Sequence, residues 1–221
     1  MTVDRPAMLR CVVRLAPWPA IGATAGAAAV VACVRASRVD DGADLVSVLR
    51  VGAVLLAATV ATCVEDGSEP LAVASPFGRA RRRQVAVAIA TSAVVACWLT
   101  IAVVAGALTS TGRLSADVIG GVLVELLALC ASAWALASIT ALGGERGSGT
   151  RAALGVLLAV LLSLGYPRTM AWLWPPVEAG PAWDDAHVRW MCVGLAALAC
   201  TAWLSRDPAA RWLRTGQETR R

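Results

Sequence analysis

Six apolar runs of 15 to 25 residues divide this chain, and polar segments separate them. The runs cover residues 15–34, 45–64, 85–108, 118–142, 152–166 and 188–204. An α-helix rises 1.5 Å per residue, so about 20 apolar residues cross the roughly 30 Å hydrocarbon core of a bilayer. The composition agrees, because 58% of the residues are hydrophobic and only 16% are charged. We therefore predict an all-α fold, a single polytopic membrane helix bundle with six transmembrane helices that covers residues 1–221.

The arginines predict the orientation of these spans. The chain has 20 arginines and no lysine, and basic residues are enriched in cytoplasmic segments. If both termini are cytoplasmic, fourteen arginines lie on that side: Arg5, Arg10, Arg14, Arg79, Arg81, Arg82, Arg83, Arg146, Arg151, Arg206, Arg211, Arg214, Arg220 and Arg221. The basic start also resembles a signal peptide, but the first run is longer than the apolar region of such peptides, which is about 7 to 15 residues. We predict a retained first span and two cytoplasmic termini.

The segment between the fifth and sixth runs, residues 168–186, is too apolar for a solvated loop. It contains Trp172, Trp174 and Trp183, and Pro167 precedes it. Proline interrupts a helix by removing a backbone donor. Tryptophan favours the headgroup boundary, and irregular backbone at membrane depth is tolerated only against protein or water. The sequence therefore predicts an interfacial or re-entrant hairpin between the fifth and sixth spans.

Two ionisable side chains, Arg50 and Glu125, fall within the predicted spans. Both spans run from the outer to the cytoplasmic side, and the two residues lie roughly 9 Å and roughly 12 Å below the outer ends. A charge inside the membrane marks a candidate functional site, although Arg50 is shallow enough to reach the interface. We hypothesise that the two residues pair across the second and fourth spans. A purely structural pair and a role in a substrate path both remain open.

Little in the sequence supports catalysis. A chain without lysine has no P-loop lysine, so any ATP must be hydrolysed by a separate subunit. The single histidine, His187, lies beside Asp184 and Asp185 at the predicted outer boundary, where an acid–base or metal site is conceivable. One histidine lacks partner ligands, which favours an interfacial structural role. Seven cysteines form no CxxC pair. We predict no enzymatic activity, no cofactor, no metal site and no nucleic-acid binding.

The polar segment 65–84, between the second and third runs, carries a family resemblance. In order, it contains Glu65, Asp66, Pro70, Ala74, Ser75, Pro76 and then the arginine cluster. Two further motifs are AHVRW at 186–190 and RDPAAR at 206–211. Together with the six spans, these motifs resemble the permease subunits of bacterial ABC-type exporters, especially compact actinobacterial ones with a separate ATPase. The chain departs from that pattern in placing residues 67–69 between the acidic pair and the first proline.

The resemblance implies that this cytoplasmic coupling loop, 65–84, forms a short helix that docks on an ATP-binding subunit. Leu71, Val73 and Phe77 would be its apolar contacts, with Arg79 and Arg81 as a charged flank. The hairpin after the fifth span would form the outer gate. The implied partners are the ATP-binding subunit, a second identical or homologous permease subunit in a dimer, and membrane lipids. The substrate would be a small molecule, a peptide or a lipid, and the location the bacterial cytoplasmic (inner) membrane.

Three alternatives stay open beside this expectation. The loop could be a solvated basic connector that only fixes topology. The whole chain could be a membrane scaffold or assembly protein without transport. It could also be a lipid-modifying membrane enzyme, which should cluster His, Asp or Glu at one membrane face, and Asp184, Asp185 and His187 are the only such group in the sequence.

The predicted topology can be tested by cysteine labelling in a chain whose seven native cysteines are replaced. A cysteine introduced near Gly180 should react with an impermeant reagent added outside, because that segment is predicted to face outward. A cysteine near Ser75 should react only after the membrane is opened. The reverse pattern would overturn the predicted orientation.

Overall fold

The computed structural model describes residues 17–38, 42–63, 79–109, 114–141 and 147–205. Within these ranges lie seven α-helices and one 3₁₀ helix: α1 (Trp18–Ala36), α2 (Gly42–Thr62), α3 (Arg79–Leu108), α4 (Ala116–Ala141), α5 (Ser148–Gly165), α6 (Pro167–Leu173), the 3₁₀ helix (Val177–Ala179) and α7 (Pro181–Leu204). All except α6 and the 3₁₀ helix are long and apolar enough to cross a membrane. The predicted all-α bundle of six spans is confirmed, and the chain is a multi-pass membrane protein.

The helix bounds follow the apolar runs closely, except at α3 and α7. The other four long helices begin and end within four residues of the predicted limits, and α3 begins six residues early. The predicted start of the last span at residue 188 is wrong, because α7 begins at Pro181. Gly180 has a φ of 56°, a conformation that favours glycine, and proline is well suited to the first position of a helix. Trp183 and His187 therefore lie in a spanning helix rather than in the hairpin.

Helices α2, α4 and α7 are the second, fourth and sixth spans, so all three begin at the same end of the bundle. At 1.5 Å per residue, Arg50 lies about 12 Å from the start of α2, Glu125 about 14 Å from the start of α4 and His187 about 9 Å from the start of α7. The chain order thus brings three polar side chains to a similar depth. The hairpin of α6 and the 3₁₀ helix lies at this same end, because it leads into α7.

Small residues let the central helix α4 approach its neighbours closely. It packs against α2, α5 and α7, and most of its buried positions are alanine, valine or leucine. A Cβ added at Gly194 of α7 would lie 3.2 Å from the Cα of Ala128 on α4. Lipid tails are as apolar as leucine, so helices in a bilayer associate through close packing and interhelical hydrogen bonds rather than through hydrophobic burial. Small residues at this contact meet that requirement.

The outward surface of the bundle is apolar, as a lipid-facing surface should be. Leu158 and Leu161 on α5 and Leu195 on α7 each expose more than half of their surface. In water such a surface would favour association. In hydrocarbon it costs nothing, whereas the charged residues Arg50 and Glu125 lie in the interior.

Candidate functional site

The structure places Arg50 and Glu125 in a direct ion pair, as hypothesised from their depth. The Nη2 atom of Arg50 lies 2.7 Å from Oε1 of Glu125, and its Nε lies 2.9 Å from Oε2. The guanidinium thus donates to both carboxylate oxygens, which is the strongest geometry for this pair of groups. Glu125 is fully buried and Arg50 exposes 9% of its surface. The sequence left open that Arg50 extends to the interface. In the structure, its guanidinium turns inward to Glu125 instead.

A third contact ties this ion pair to the hairpin between α5 and α7. The Nη1 atom of Arg50 donates to the backbone carbonyl of Pro175 at 3.0 Å. Pro175 is among the most deeply buried residues and lies between α6 and the 3₁₀ helix, where the backbone is irregular. A carbonyl in such a segment has no helical partner, so the guanidinium satisfies a group that would otherwise be costly to bury.

Two tryptophans cover the guanidinium. The Cζ atom of Arg50 lies 4.9 Å from the ring centre of Trp183 and 5.6 Å from that of Trp174. Aromatic faces carry negative charge and attract cations at these distances, by about 0.5 to 2 kcal/mol each. Both rings are buried. Arg50 is therefore surrounded by one carboxylate, one carbonyl and two aromatic faces.

The hairpin is held to α7 and α5 by further hydrogen bonds. Trp190 donates from Nε1 to the carbonyl of Leu173 at 2.8 Å, and Arg189 donates to the carbonyl of Trp172 at 2.8 Å. The Trp174 ring packs edge-on against Trp190 with centres 4.8 Å apart, and its Nε1 donates to Ser163. Trp190 and Arg189 thus donate to free carbonyls at the end of α6. The predicted hairpin is thus folded onto the end of the bundle and directly above the ion pair.

His187 completes the buried group, and the sequence did not reveal this. Its Nε2 lies 3.3 Å from Oε1 of Glu125, close enough for an ion pair although not aligned as a hydrogen bond. Its Nδ1 lies 2.7 Å from the carbonyl oxygen of Trp183, one turn earlier in α7. We call Arg50, Glu125 and His187 the buried cluster. It draws one side chain from each of α2, α4 and α7.

The interfacial role predicted for His187 is therefore replaced by a buried one. Asp184 and Asp185, which the sequence placed beside it, are both exposed. Asp185 instead lies 3.8 Å from Arg189 on the same helix. An i, i+3 or i, i+4 relation to Trp183 and Trp190, rather than adjacency to the aspartates, would have placed His187 on the buried face. That signal is present in the sequence but depends on knowing that α7 starts at Pro181.

Gly121 allows His187 to reach Glu125. A Cβ at this position would lie 2.6 Å from Nε2 of His187 and 2.9 Å from the Trp183 ring. Real Cβ atoms are not found at such distances, so any larger residue would displace the imidazole. Gly121 and Glu125 are four residues apart and share one face of α4. The glycine thus opens the space in which the carboxylate and the imidazole meet.

Trp98 supports the cluster from the third span. It is 1% exposed, and its Nε1 donates to the carbonyl of Leu49 at 3.1 Å. Leu49 immediately precedes Arg50 on α2. The bond fixes the backbone that carries the guanidinium against α3.

The residues predicted to contact an ATPase cannot be compared in the same way. Leu71, Val73 and Phe77 lie outside the described residues. The backbone of Arg79 and Arg81 forms the first turn of α3. Among the described residues, no group of three or more His, Cys, Asp or Glu side chains could hold a metal ion.

No protein-family model, curated protein or solved structure matches this chain.

The arrangement can bind and redistribute charge inside the bundle. A buried ion pair costs several kcal/mol of desolvation per ion, which its own attraction and hydrogen bonds must offset. Here Arg50 and Glu125 form two direct hydrogen bonds, and the hairpin supplies a further acceptor for Arg50 at Pro175. A polar cluster of this kind inside a span is by default a candidate functional site.

A double-mutant cycle on Arg50 and Glu125 tests this description. Arg50→Leu or Glu125→Leu alone should lower the free energy of unfolding by about 3–5 kcal/mol, because each removes the main partner of a buried charge. The double variant should be less damaging than either single change. The measurement is reversible unfolding in mixed detergent micelles.

The exposed pair of Arg35 and Asp44, at the junction of α1 and α2, is the matched control. Its side chains are 45% and 49% exposed, so replacing both by leucine should show a coupling of only about 0–1 kcal/mol. Strict additivity of the Arg50 and Glu125 losses would contradict the ion pair.

Proposed function

We propose that this chain is the permease subunit of a bacterial ABC-type exporter and works in the cytoplasmic membrane with a separate ATP-binding subunit. The observation that carries the proposal is that hydrogen bonds hold the hairpin over the buried cluster. Arg50 donates a hydrogen bond to the carbonyl of Pro175, and Trp190 donates one to the carbonyl of Leu173. An irregular segment held over buried charge by a few polar contacts is what a gate requires, since breaking those contacts opens a polar path into the bundle.

Helix α2 supplies the mechanical connection for such a gate. It is one continuous helix from Gly42 to Thr62 and leads directly into the loop 65–84. Arg50 lies about 18 Å from the loop end of this helix, at 1.5 Å per residue. A rigid helix transmits a displacement along its length, and packed interfaces shift between discrete arrangements. Motion delivered to the loop would therefore reach Arg50 and its contact with the hairpin.

The resemblance of segment 65–84 to a coupling loop implies that an ATP-binding subunit is the source of that motion. Pro70 and Pro76 bracket an apolar stretch that contains Leu71 and Val73, and arginines follow it. An apolar contact with charged flanks suits docking on a soluble subunit. The chain has no P-loop lysine, so the ATPase would be a second polypeptide. Two permease subunits and two ATPase subunits would form the working transporter.

Co-purification of the ATPase tests this proposal. Leu71→Asp combined with Phe77→Asp should abolish recovery of an ATP-binding subunit from detergent-solubilised membranes, because it places two charges on the apolar contact. The protein should still insert with six spans, since both residues belong to the polar segment between the second and third apolar runs. Captured subunits are identified by mass spectrometry, and insertion is checked by the cysteine labelling described above.

Gly67→Asp combined with Ser68→Asp is the matched control, since it adds the same two charges to the same loop outside the Pro70–Pro76 bracket. It should leave ATPase recovery unchanged. Undiminished recovery with the Leu71 and Phe77 variant would place the contact elsewhere. If the unmodified protein recovers no ATPase, the permease proposal fails and a scaffold role is favoured.

A further inference from the structure

We propose that Glu125 and His187 together bind one proton, which makes the buried cluster a proton-binding site inside the bundle. The inference rests on the geometry of the cluster. It does not depend on the permease proposal, because it makes no use of an ATPase or of a transported substrate.

The hydrogen-bonding inventory of the imidazole requires the extra proton. A neutral imidazole carries one N–H, and its other nitrogen can only accept. Nδ1 of His187 faces the carbonyl oxygen of Trp183 at 2.7 Å, and a carbonyl oxygen can only accept. The hydrogen therefore belongs on Nδ1. In a neutral ring Nε2 would then carry a lone pair 3.3 Å from the carboxylate oxygen of Glu125, so that two acceptors lie close together in a buried site.

The other neutral tautomer does not remove the conflict. Placing the hydrogen on Nε2 lets it donate to Glu125 but turns a bare nitrogen towards the Trp183 carbonyl at the shorter distance of 2.7 Å. No hydrogen bond reaches Nε2 in the structure, and the Glu125 oxygen at 3.3 Å is its nearest charged neighbour. An additional proton resolves both arrangements. It either completes an imidazolium, whose two N–H groups face the carbonyl and the carboxylate, or protonates Glu125, whose O–H then faces Nε2.

Both protonated forms give the cluster a net charge of +1, and the surroundings suit that charge. The guanidinium contributes the first positive charge, and Glu125 and His187 with the added proton contribute zero in sum. The rings of Trp183 and Trp174 lie over the guanidinium, and the Trp183 ring lies 4.4 Å from that of His187. Aromatic faces stabilise positive charge most strongly where water is excluded. The net positive charge thus lies beside two aromatic faces in both forms.

Other titratable groups of the described residues do not form an ion pair with His187. The charged residues on the elements packed around His187 are Asp117 and Glu125 on α4, Asp44 and Arg50 on α2, Arg168 on α6, Glu178 in the 3₁₀ helix, and Asp184, Asp185 and Arg189 on α7 itself. Asp117, Arg168, Glu178, Asp184 and Asp185 are exposed, Asp44 pairs with Arg35, and Arg189 binds the Trp172 carbonyl. Within the described part of the chain, Glu125 alone lies within ion-pair distance of His187.

Proton exchange would pass through the imidazole. The side chain of His187 is 11% exposed, whereas that of Glu125 is 0% exposed. Glu125 therefore reaches water only through its partners, and of these the imidazole can take up a proton on one nitrogen and release it from another. Uptake forms an N–H bond on Nε2 or an O–H bond on Glu125, and release returns that proton to water at the hairpin end of the bundle.

Nitrogen NMR on the single histidine tests the proposal directly. Because His187 is the only histidine, ¹⁵N-histidine labelling of the whole protein in lipid nanodiscs reports this site alone at neutral pH. The two ring nitrogens distinguish the imidazolium and both neutral tautomers. An infrared difference spectrum between the unmodified protein and Glu125→Gln shows whether a protonated carboxyl group is present.

We expect either an imidazolium, or the Nδ1–H tautomer together with a carboxylic acid band that is lost in Glu125→Gln. A neutral ring in either tautomer beside an ionised Glu125 would overturn the proposal, since neither state holds the added proton. The ring nitrogens of the unmodified protein identify an imidazolium without any variant, and if Glu125→Gln fails to fold, the infrared difference against Gly121→Ala, described next, replaces it for the carboxylic acid band.

Gly121→Ala provides a second test, because its added methyl group would displace the imidazole from Glu125. The signature of the bound proton should be lost in this variant. Gly120→Ala is the matched control, since a Cβ at Gly120 meets nothing within 4 Å and should leave the spectrum unchanged. If Gly121→Ala inserts normally and retains the signature, the contact between His187 and Glu125 is not its origin and the proposal is wrong.

Discussion

The ion pair between Arg50 and Glu125 constrains the rest of the fold, because a single unpaired charge inside a bilayer costs several kcal/mol. Groups from several elements contact the pair and lower this cost. The carboxylate holds α4 against α2, the guanidinium holds the Pro175 carbonyl of the hairpin, and two tryptophans cover the remaining face. The pair therefore joins elements that are far apart in the chain.

Small residues make this convergence possible. Gly121 leaves room for the imidazole on the face of α4 that also carries Glu125, and Gly194 allows α7 to touch the backbone of α4 at Ala128. Hydrophobic burial gives helices in lipid little reason to associate, so close backbone approach and a few polar contacts must specify which helices meet. In this bundle, close backbone approach and polar contacts both join α4 to α7.

How much of the fold and of the buried cluster the sequence could predict depends on whether the signal extends over a whole span or over only a few residues. The six spans follow from apolar runs that are long enough to cross a bilayer. The meeting of Arg50 and Glu125 follows from two charges at similar depth on spans of the same direction. The position of His187 could not be reached in this way, because the Trp- and Pro-rich stretch before it was interpreted as hairpin up to residue 186. A proline directly after a glycine, at Gly180 and Pro181, is the local signal that marks the true helix start. The coupling role of Leu71, Val73 and Phe77 stays a prediction, since these residues lie outside the described part of the chain.

The buried cluster lies nearer one end of the bundle than the other, and this asymmetry has an electrical consequence. It lies about 9–14 Å from the helix starts, at 1.5 Å per residue, whereas the hydrocarbon core is roughly 30 Å thick. A unit charge that enters from that end crosses about a third to a half of the transmembrane field, and the full field is worth about 2.3 kcal/mol per 100 mV. Occupation of the cluster by a charge would thus respond to membrane voltage by about 1 kcal/mol per 100 mV. The other end, separated by the greater part of the bilayer, would experience the complementary share.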